Sequence, residues 1–314
     1  MSDFIREIFA VPFGFVLSLF YNLTDSYIWS IVLLTVLIKV CLLPTSISQQ
    51  KNSAKQVRLN TKVAKIRAKY EGNQQKIQEE TQALYQREGF GAQNMGCGAL
   101  AIQMIVVIGL YGVVYTPLSS VLQFADKTIE QIKTAMGSAL SGVTNPRMIE
   151  LEILKHVGDY KDKIVGVIGQ EDATRLLALK EKFQLFGLDL SVTPDKSHIS
   201  IYWLIPIFAF LTAMLSSVYM YLRQRKQNPE MAKNPSMGCM TFMSPVMSLV
   251  FTFMFPAGVG FYWIISNIFA FVQQIVLTSI YSPKKVIAQQ MVDETVYRRS
   301  RENNVKKRVE IEKK

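Results

Sequence analysis

The chain has 314 residues, with 35 Lys and Arg against 24 Asp and Glu, and 49 % of its residues are apolar. Residues 98–122, 199–222 and 237–283 carry no charged side chain, and each stretch reaches the roughly 20 residues that cross a bilayer. These features exclude the disordered and collagen-like classes and a soluble enzyme with a basic surface, and they indicate a polytopic membrane protein.

The N-terminal segment, residues 1–26, contains an uncharged apolar stretch at 8–24. A cleaved signal peptide is disfavoured, because the preceding charges are Asp3, Arg6 and Glu7 and no small-residue cleavage site follows. Two interpretations stay open: a helix that lies along the membrane interface, which we prefer, or a short additional span.

Five membrane spans are predicted from apolar length and the positions of charge. They cover residues 27–44, 98–122, 199–222, 237–255 and 258–280. The last two are joined by Pro256-Ala257-Gly258 alone, and so short a connection makes its two helices antiparallel neighbours.

The distribution of Lys and Arg between the spans predicts the orientation. Loop 45–93 has nine basic and four acidic residues, loop 223–236 has four and one, and the tail 281–314 has ten and five. Segment 124–197 has ten basic but eleven acidic residues. We therefore expect the first three segments in the cytoplasm, beside anionic lipid headgroups, and the N-terminus and 124–197 outside.

The basic tail carries clusters at 298–301 and 306–308 that lie fifteen or more residues beyond the last span. Attraction to lipid headgroups fades within a Debye length. Two interpretations stay open, a solvated tail or one that contacts a polyanion such as ribosomal RNA.

Residues 46–88 are predicted to form two amphipathic helices, separated by Glu71-Gly72-Asn73. Apolar or small side chains at helical spacing give each helix one narrow stripe: Val57, Val63, Ile66 and Tyr70 in the first, and Ile77, Thr81 and Leu84 in the second. We interpret this as a cytoplasmic antiparallel hairpin for docking or gating, rather than a mere connector.

Segment 124–197 is long for a connection, and Ile129, Ile132 and Met136 keep the spacing of a helical stripe. Its histidine His156 and the nearby His198 are 42 positions apart. We expect both to be exposed loop residues without a metal or acid–base role.

The search for catalytic motifs is negative. The sequence has no Gly-x-x-x-x-Gly-Lys-Ser/Thr phosphate loop, no His-Glu-x-x-His and no Gly-x-Ser-x-Gly. Cys41, Cys97 and Cys239 lie far apart and form no paired thiol motif. The sequence therefore predicts a protein that is not an enzyme and needs no cofactor or metal.

Lys39 is the one charged residue within the predicted spans, five residues before Pro44, or about 7.5 Å along a helix. A lysine at this depth can extend its ammonium to the headgroups. Thr35, one turn earlier, extends a polar stripe on the same face. Further polar residues in the spans are Gln103, Ser266, Asn267, Gln273 and Gln274. Such residues often bond a neighbouring helix, but their combination with a lysine favours a water-filled groove.

Several motifs, in order along nearly the whole chain, resemble the YidC-type (Oxa-like) membrane protein insertase family. They are Leu34-Thr35-Val36-Leu37-Ile38-Lys39 through Pro44, Cys97 through Ile102-Gln103-Met104, Phe186-Gly187-Leu188-Asp189-Leu190, and Phe255-Pro256-Ala257-Gly258-Val259-Gly260-Phe261-Tyr262-Trp263-Ile264-Ile265-Ser266-Asn267 with Gln273-Gln274. The chain departs from the family at Lys39, where Arg is usual, and at Ile105, where Pro is usual.

The resemblance implies the bacterial five-helix form: an all-α polytopic membrane protein with a five-helix transmembrane core and a cytoplasmic antiparallel helical hairpin. It also implies a groove that is open to the cytoplasm and to lipid. By position, the groove residues are Lys39, Thr35 and Gln103, to which we add Ser266 and Asn267. A hydrophobic slide is expected at Met104, Val107, Tyr262 and Trp263.

We therefore expect a passive membrane protein insertase or chaperone in the bacterial cell membrane. The expected partners are nascent membrane proteins, the ribosome, membrane lipids and a Sec-type translocon, with no specific nucleic acid beyond ribosomal RNA. Two other hypotheses are a small-solute transporter or channel, which predicts inverted repeats, and a ribosome-anchoring membrane scaffold.

Overall fold

The computed structural model describes residues 10–89, 97–143, 145–227 and 235–312, with the side chains of 97–104, 138, 147, 227, 235–240, 304 and 306–312 left aside. The chain divides into two compact units. The first comprises residues 1–42, 100–221 and 238–271, and the second comprises 43–99, 222–237 and 272–314.

The described residues are mostly helical. In chain order the α-helices are α1 Val11–Thr24, α2 Tyr27–Cys41, α3 Leu43–Lys69, α4 Gln74–Arg87, α5 Cys97–Tyr115, α6 Pro117–Ser120, α7 Asp126–Ala135, α8 Gly137–Leu140, α9 Ile149–His156, α10 Lys161–Ile168, α11 Gln170–Lys182, α12 Leu204–Gln227, α13 Pro235–Thr252, α14 Ala257–Ile280 and α15 Pro283–Glu312. Short 3₁₀ turns occur at Pro146–Met148 and Ile201–Trp203, and strands β1 Gln184–Leu185 and β2 Leu188–Asp189 form an antiparallel hairpin.

The first unit is built on one apolar cluster. Ile31, Leu34 and Ile38, at helical spacing on α2, are buried in the same cluster as Leu110 of α5 and Tyr262 of α14. The three helices that carry most of the predicted groove and slide residues thus contribute to one buried cluster.

Segment 124–197 folds as a set of short helices with its own buried side chains. The predicted stripe is confirmed, because Ile132 and Met136 are fully buried. On α9, the buried Glu150 accepts the backbone N–H groups of Leu118 (2.8 Å) and Ser119 (3.0 Å). These N–H groups belong to the first turn of α6 and have no partner within that helix, so Glu150 fastens the segment to α6.

The apolar stretch 98–122 is interrupted in the structure. Helix α5 ends at Tyr115, and α6 begins at Pro117 after Thr116, whose backbone is not helical (φ −122°, ψ 60°). Proline has no N–H for a preceding carbonyl and disfavours a helical conformation in the residue before it. A continuous apolar stretch therefore gives two helices here.

The second unit contains the predicted hairpin. Helices α3 and α4 are joined at Gly72, whose φ of +88° suits glycine, and Asn73 accepts the N–H of Lys76 as an N-cap. The C-terminal helix α15 packs along α3. Arg58 of α3 donates to both carboxylate oxygens of Glu294, at 2.8 and 3.2 Å.

Two helices in the described part of the chain, Ile201–Lys226 and Ala257–Ile280, are long and apolar enough to cross a membrane. A third candidate arises if Tyr27–Cys41 and Leu43–Lys69 count as one span. Shorter apolar helices are Val11–Thr24, Ile105–Tyr115 and Thr241–Thr252.

Candidate functional site

Lys39 lies in the last turn of α2, where the helix carbonyls favour a cation. Its side chain is half-buried and forms no hydrogen bond or ion pair with any residue that the structure describes. Thr35, one turn earlier, is 1 % exposed and donates its hydroxyl to the carbonyl of Ile31 at 2.7 Å. The two residues share a helix but not an environment, since Thr35 is enclosed and Lys39 is partly accessible.

Helix α5 carries three of the predicted site residues, and the structure describes the side chain of one of them, Val107. Gln103 and Met104 lie on α5, but their side chains fall outside the described residues. Val107 is half-buried, between the exposed Ile105 and Ile108 and the buried Val106. Val107 therefore lies at the edge between the packed and the open face of this helix.

Tyr262 and Ser266 are one turn apart on α14 and both are buried. Trp263 is half-buried, and its ring lies 5.8 Å from that of Phe251 on α13, measured between centroids. The two predicted slide residues of α14 thus differ: Tyr262 belongs to the apolar cluster, whereas Trp263 lies at its margin.

Asn267 has a structural contact. Its side-chain amide donates to the carbonyl of Ala209 at 3.2 Å and lies 3.3 Å from the hydroxyl of Thr212, both on α12. Ser248 of α13 approaches the same carbonyl at 3.4 Å. The backbone oxygen of Ala209 therefore joins three helices. Thr212 and Ser248 were not predicted as site residues, because each is marked in the sequence by no more than a hydroxyl within an apolar stretch.

The glycines of the Pro-Ala-Gly-Val-Gly motif allow close packing at the start of α14. The N–H groups of Ala257 and Gly258 donate to the carbonyls of Val192 (2.9 Å) and Leu190 (2.8 Å), so the first turn of the helix has partners. A Cβ at Gly258 would lie 3.3 Å from the Leu190 oxygen, and one at Gly260 would lie 2.3 Å from Cγ2 of Ile205.

Two ion pairs join charged side chains outside the apolar helices. Lys182 of α11 donates to Asp25, which follows α1, and this hydrogen bond raises the pKa of the ammonium. The hydrogen bond from Arg58 lowers the pKa of Glu294. Neither pair involves a predicted groove residue. Among the described residues no group of three or more His, Cys, Asp or Glu side chains is placed to hold a metal ion.

The fold and the apolar helices define an all-α polytopic membrane protein, in which Asn267 and Ser248 bond across from one helix to another. Residues 19–285 match the model of the family described as 60Kd inner membrane protein. The chain belongs to that family, and the resemblance to YidC-type insertases is confirmed.

Curated relatives of the chain carry insertase names. It is 25 % identical to "Membrane protein insertase MisCA" of Bacillus subtilis (strain 168) over 79 % of this chain and 69 % of that protein. It is 25 % identical to "Membrane protein insertase YidC 2" of Bacillus anthracis over 85 % of this chain and 78 % of that one. It is also 27 % identical to "Membrane protein insertase YidC" of Janthinobacterium sp. (strain Marseille), over 85 % of this chain but 36 % of that longer protein.

Proposed function

We propose that this chain is a passive membrane protein insertase that receives a nascent chain beside Lys39 and releases it sideways into lipid. Family membership and the names of the relatives support insertion as the activity. The observation that carries the proposed site is the state of Lys39: it is half-buried at the end of α2 and has no partner among the described residues. A cation in that state is free to pair with a carboxylate of the substrate.

A charge pair, the membrane potential and the burial of apolar surface together would drive insertion without nucleotide hydrolysis. One charge pair at 4 Å is worth about 4 kcal/mol at an effective dielectric constant near 20. The membrane potential contributes about 2.3 kcal/mol per charge per 100 mV, and burial of an apolar segment in lipid adds about 25 cal/mol per Å². Lys39 would lower the barrier for the polar segment, and the apolar segment would drive the step.

The predicted polar residues would have two different roles, helix packing and contact with the substrate. Because the amide of Asn267 donates to Ala209 and the hydroxyl of Thr35 donates to Ile31, both serve helix structure first. Lys39, Gln103 and Ser266 would offer the polar contacts. Val107 and Trp263, both half-buried, would guide the apolar segment together with Met104 and Tyr262.

The orientation and the wider partners belong to the same proposal. The unit that holds α3, α4 and α15 would lie in the cytoplasm, where its basic residues meet lipid headgroups and a ribosome. Segment 124–197 and the N-terminus would lie outside. A Sec-type translocon is a further proposed partner, and no cofactor is required.

Site-specific photocrosslinking to a stalled nascent membrane protein tests the site. A photoreactive residue at position 103, 107 or 263 should crosslink the nascent chain during insertion. The same probe at Val218, an exposed apolar position on α12, is the control and should react mainly with lipid. Equal crosslinking at all four positions would contradict a groove at Lys39.

A further inference from the structure

The hairpin of β1 and β2 presents an aromatic side chain at its tip. Gln184 pairs with Asp189 and Leu185 with Leu188, so Phe186 and Gly187 form the two-residue turn. Both turn residues have positive φ, +50° and +80°, the pattern of a tight type I′ hairpin turn that favours Asn-Gly. A bulky residue rarely adopts this conformation, and Phe186 is 96 % exposed. The phenyl ring therefore contributes little to the hairpin itself.

The hairpin is fixed at the first turn of a membrane helix. The N–H of Asp189 donates to the hydroxyl of Tyr202 at 3.3 Å, and the N–H of Leu190 donates to the carbonyl of Phe183 at 3.0 Å, which closes the base of the hairpin. Tyr202 lies at the start of Ile201–Lys226, one of the two long spanning candidates. At about 3.4 Å per residue, the tip lies roughly 10 Å from Asp189.

Aromatic residues mark this end of the helix as the membrane interface. Trp203 donates its indole N–H to the carbonyl of Asp195 at 2.8 Å, so its polar edge is bonded to the connecting loop. Tyr and Trp with a bonded polar edge and an apolar body concentrate at the level of the headgroups. The tip of the hairpin is therefore attached at the depth where lipid begins.

An exposed apolar surface continues from the loop down the membrane helix. Ile199 is 86 % and Ile201 61 % exposed. Exposed apolar residues then follow on α12, namely Leu204, Ile207, Phe208, Leu211 and Leu215. In a polytopic membrane protein such a face of a spanning helix contacts lipid, and Ile199 and Ile201 extend it towards the connecting loop.

We propose that Phe186, together with Ile199 and Ile201, inserts into the lipid interface on the side of segment 124–197 and anchors that segment to the bilayer. The residues just after the hairpin, Leu190 and Val192, accept the first N–H groups of α14. The anchor therefore also fixes the depth of the junction between α13 and α14. The occupant of this surface is lipid, and no second protein is needed.

Depth-dependent quenching in vesicles tests the anchor. The protein, with Cys41, Cys97 and Cys239 replaced by Ser, carries one cysteine at position 199 labelled with the fluorophore NBD. It is reconstituted alone into phosphatidylethanolamine and phosphatidylglycerol vesicles that contain doxyl-labelled lipid. We expect blue-shifted emission and at least twofold quenching by a shallow doxyl group. A label at Asp159, a charged and exposed position, should stay solvent-like.

The role of the ring is tested by Phe186→Asn in the same labelled protein. Asparagine suits the positive φ, so the melting temperature in detergent should not fall, while quenching of the label at position 199 should drop by about half. A solvent-like label at position 199 in these vesicles would overturn the proposal, and so would quenching that Phe186→Asn leaves unchanged. If the blue shift of the label at position 199 appears only after a second membrane protein is added, the surface binds a protein partner instead, and the proposal is also overturned.

Discussion

The side-chain amide of Asn267 donates to the backbone carbonyl of Ala209 at 3.2 Å and joins α14 to α12 within the apolar part of both helices. The hydroxyl of Ser248 approaches the same oxygen from α13. A polar residue that the sequence assigns to a water-filled groove thus has a partner on another helix.

Replacing Asn267 by Ala should destabilise the first unit modestly. Hydrogen bonds between membrane helices average about 0.6 kcal/mol and reach about 1.7 kcal/mol, so we expect a loss in that range by denaturation in mixed micelles. A double-mutant cycle with Thr212→Val isolates the amide–hydroxyl term. If Asn267→Ala leaves the free energy of unfolding unchanged and the coupling energy with Thr212→Val is zero, the contact contributes nothing to stability.

Replacing Gly260 by Ala should be more damaging, because the new Cβ would lie 2.3 Å from Cγ2 of Ile205. Overpacking of this kind costs about 1–3 kcal/mol, measurable as a lower melting temperature. Ile205→Ala removes the clashing methyl group, so the double variant should recover part of the loss. Gly166→Ala, in open space on α10, is the control and should be neutral or slightly stabilising.

Replacing Glu150 by Ala should loosen the attachment of segment 124–197 to α6. The carboxylate accepts the N–H groups of Leu118 and Ser119, and a buried donor without a partner costs about 1–3 kcal/mol. Amide hydrogen exchange of residues 118–120 should accelerate. Glu130→Ala removes an exposed i,i+3 ion pair with Lys133 and should change stability by less than about 0.5 kcal/mol.

The contact of α15 with α3 should weaken in acid. The hydrogen bond from Arg58 lowers the pKa of Glu294, so its contribution is present above the usual glutamate pKa of about 4.3 and is lost as pH falls through the lowered value. Because Glu294 is 60 % exposed, the effect should stay below about 1 kcal/mol. The distribution of distances between spin labels on α3 and α15 should broaden when the pH falls from 7 to 3. In the Glu294→Gln variant this distribution should be broad at both pH values.

Neutralising Lys39 should impair insertion selectively. With purified protein in vesicles, Lys39→Gln should slow insertion of a substrate with an acidic translocated tail by about tenfold or more, because the charge pair is lost. A substrate with a neutral tail should be affected much less. Lys39→Arg keeps the charge and should retain most of the activity. Equal slowing of both substrates by Lys39→Gln would contradict an electrostatic role.

Much of the architecture follows from the absence of charge. The sequence predicts a span at 258–280, and the structure has helix α14 at Ala257–Ile280. Pro256 precedes this helix and its interior is uncharged. The hairpin of α3 and α4 followed from Gly72 and Asn73. Both the start of α14 and the turn between α3 and α4 are specified by residues adjacent in sequence.

The rest depends on residues distant in sequence. The basic tail shows no apolar stripe, yet 283–312 forms α15, which packs along α3 with an ion pair between residues 236 positions apart. The partner of Asn267 lies 58 positions away, and only the fold reveals that its amide serves a helix contact. Pro117 was visible in the sequence, but the uncharged residues around it made 98–122 look like one helix.

The bonds from Ala257 and Gly258 to Val192 and Leu190 have a consequence for biogenesis. Helix α14 finds acceptors for its opening turn on residues just after the hairpin of β1 and β2, which are synthesised about 65 residues earlier. Residues 190–192 must therefore be in place before the first turn of α14 has its backbone acceptors. Because the acceptors precede α14 in the chain, slow folding of residues 190–192 would leave the first N–H groups of this helix without partners.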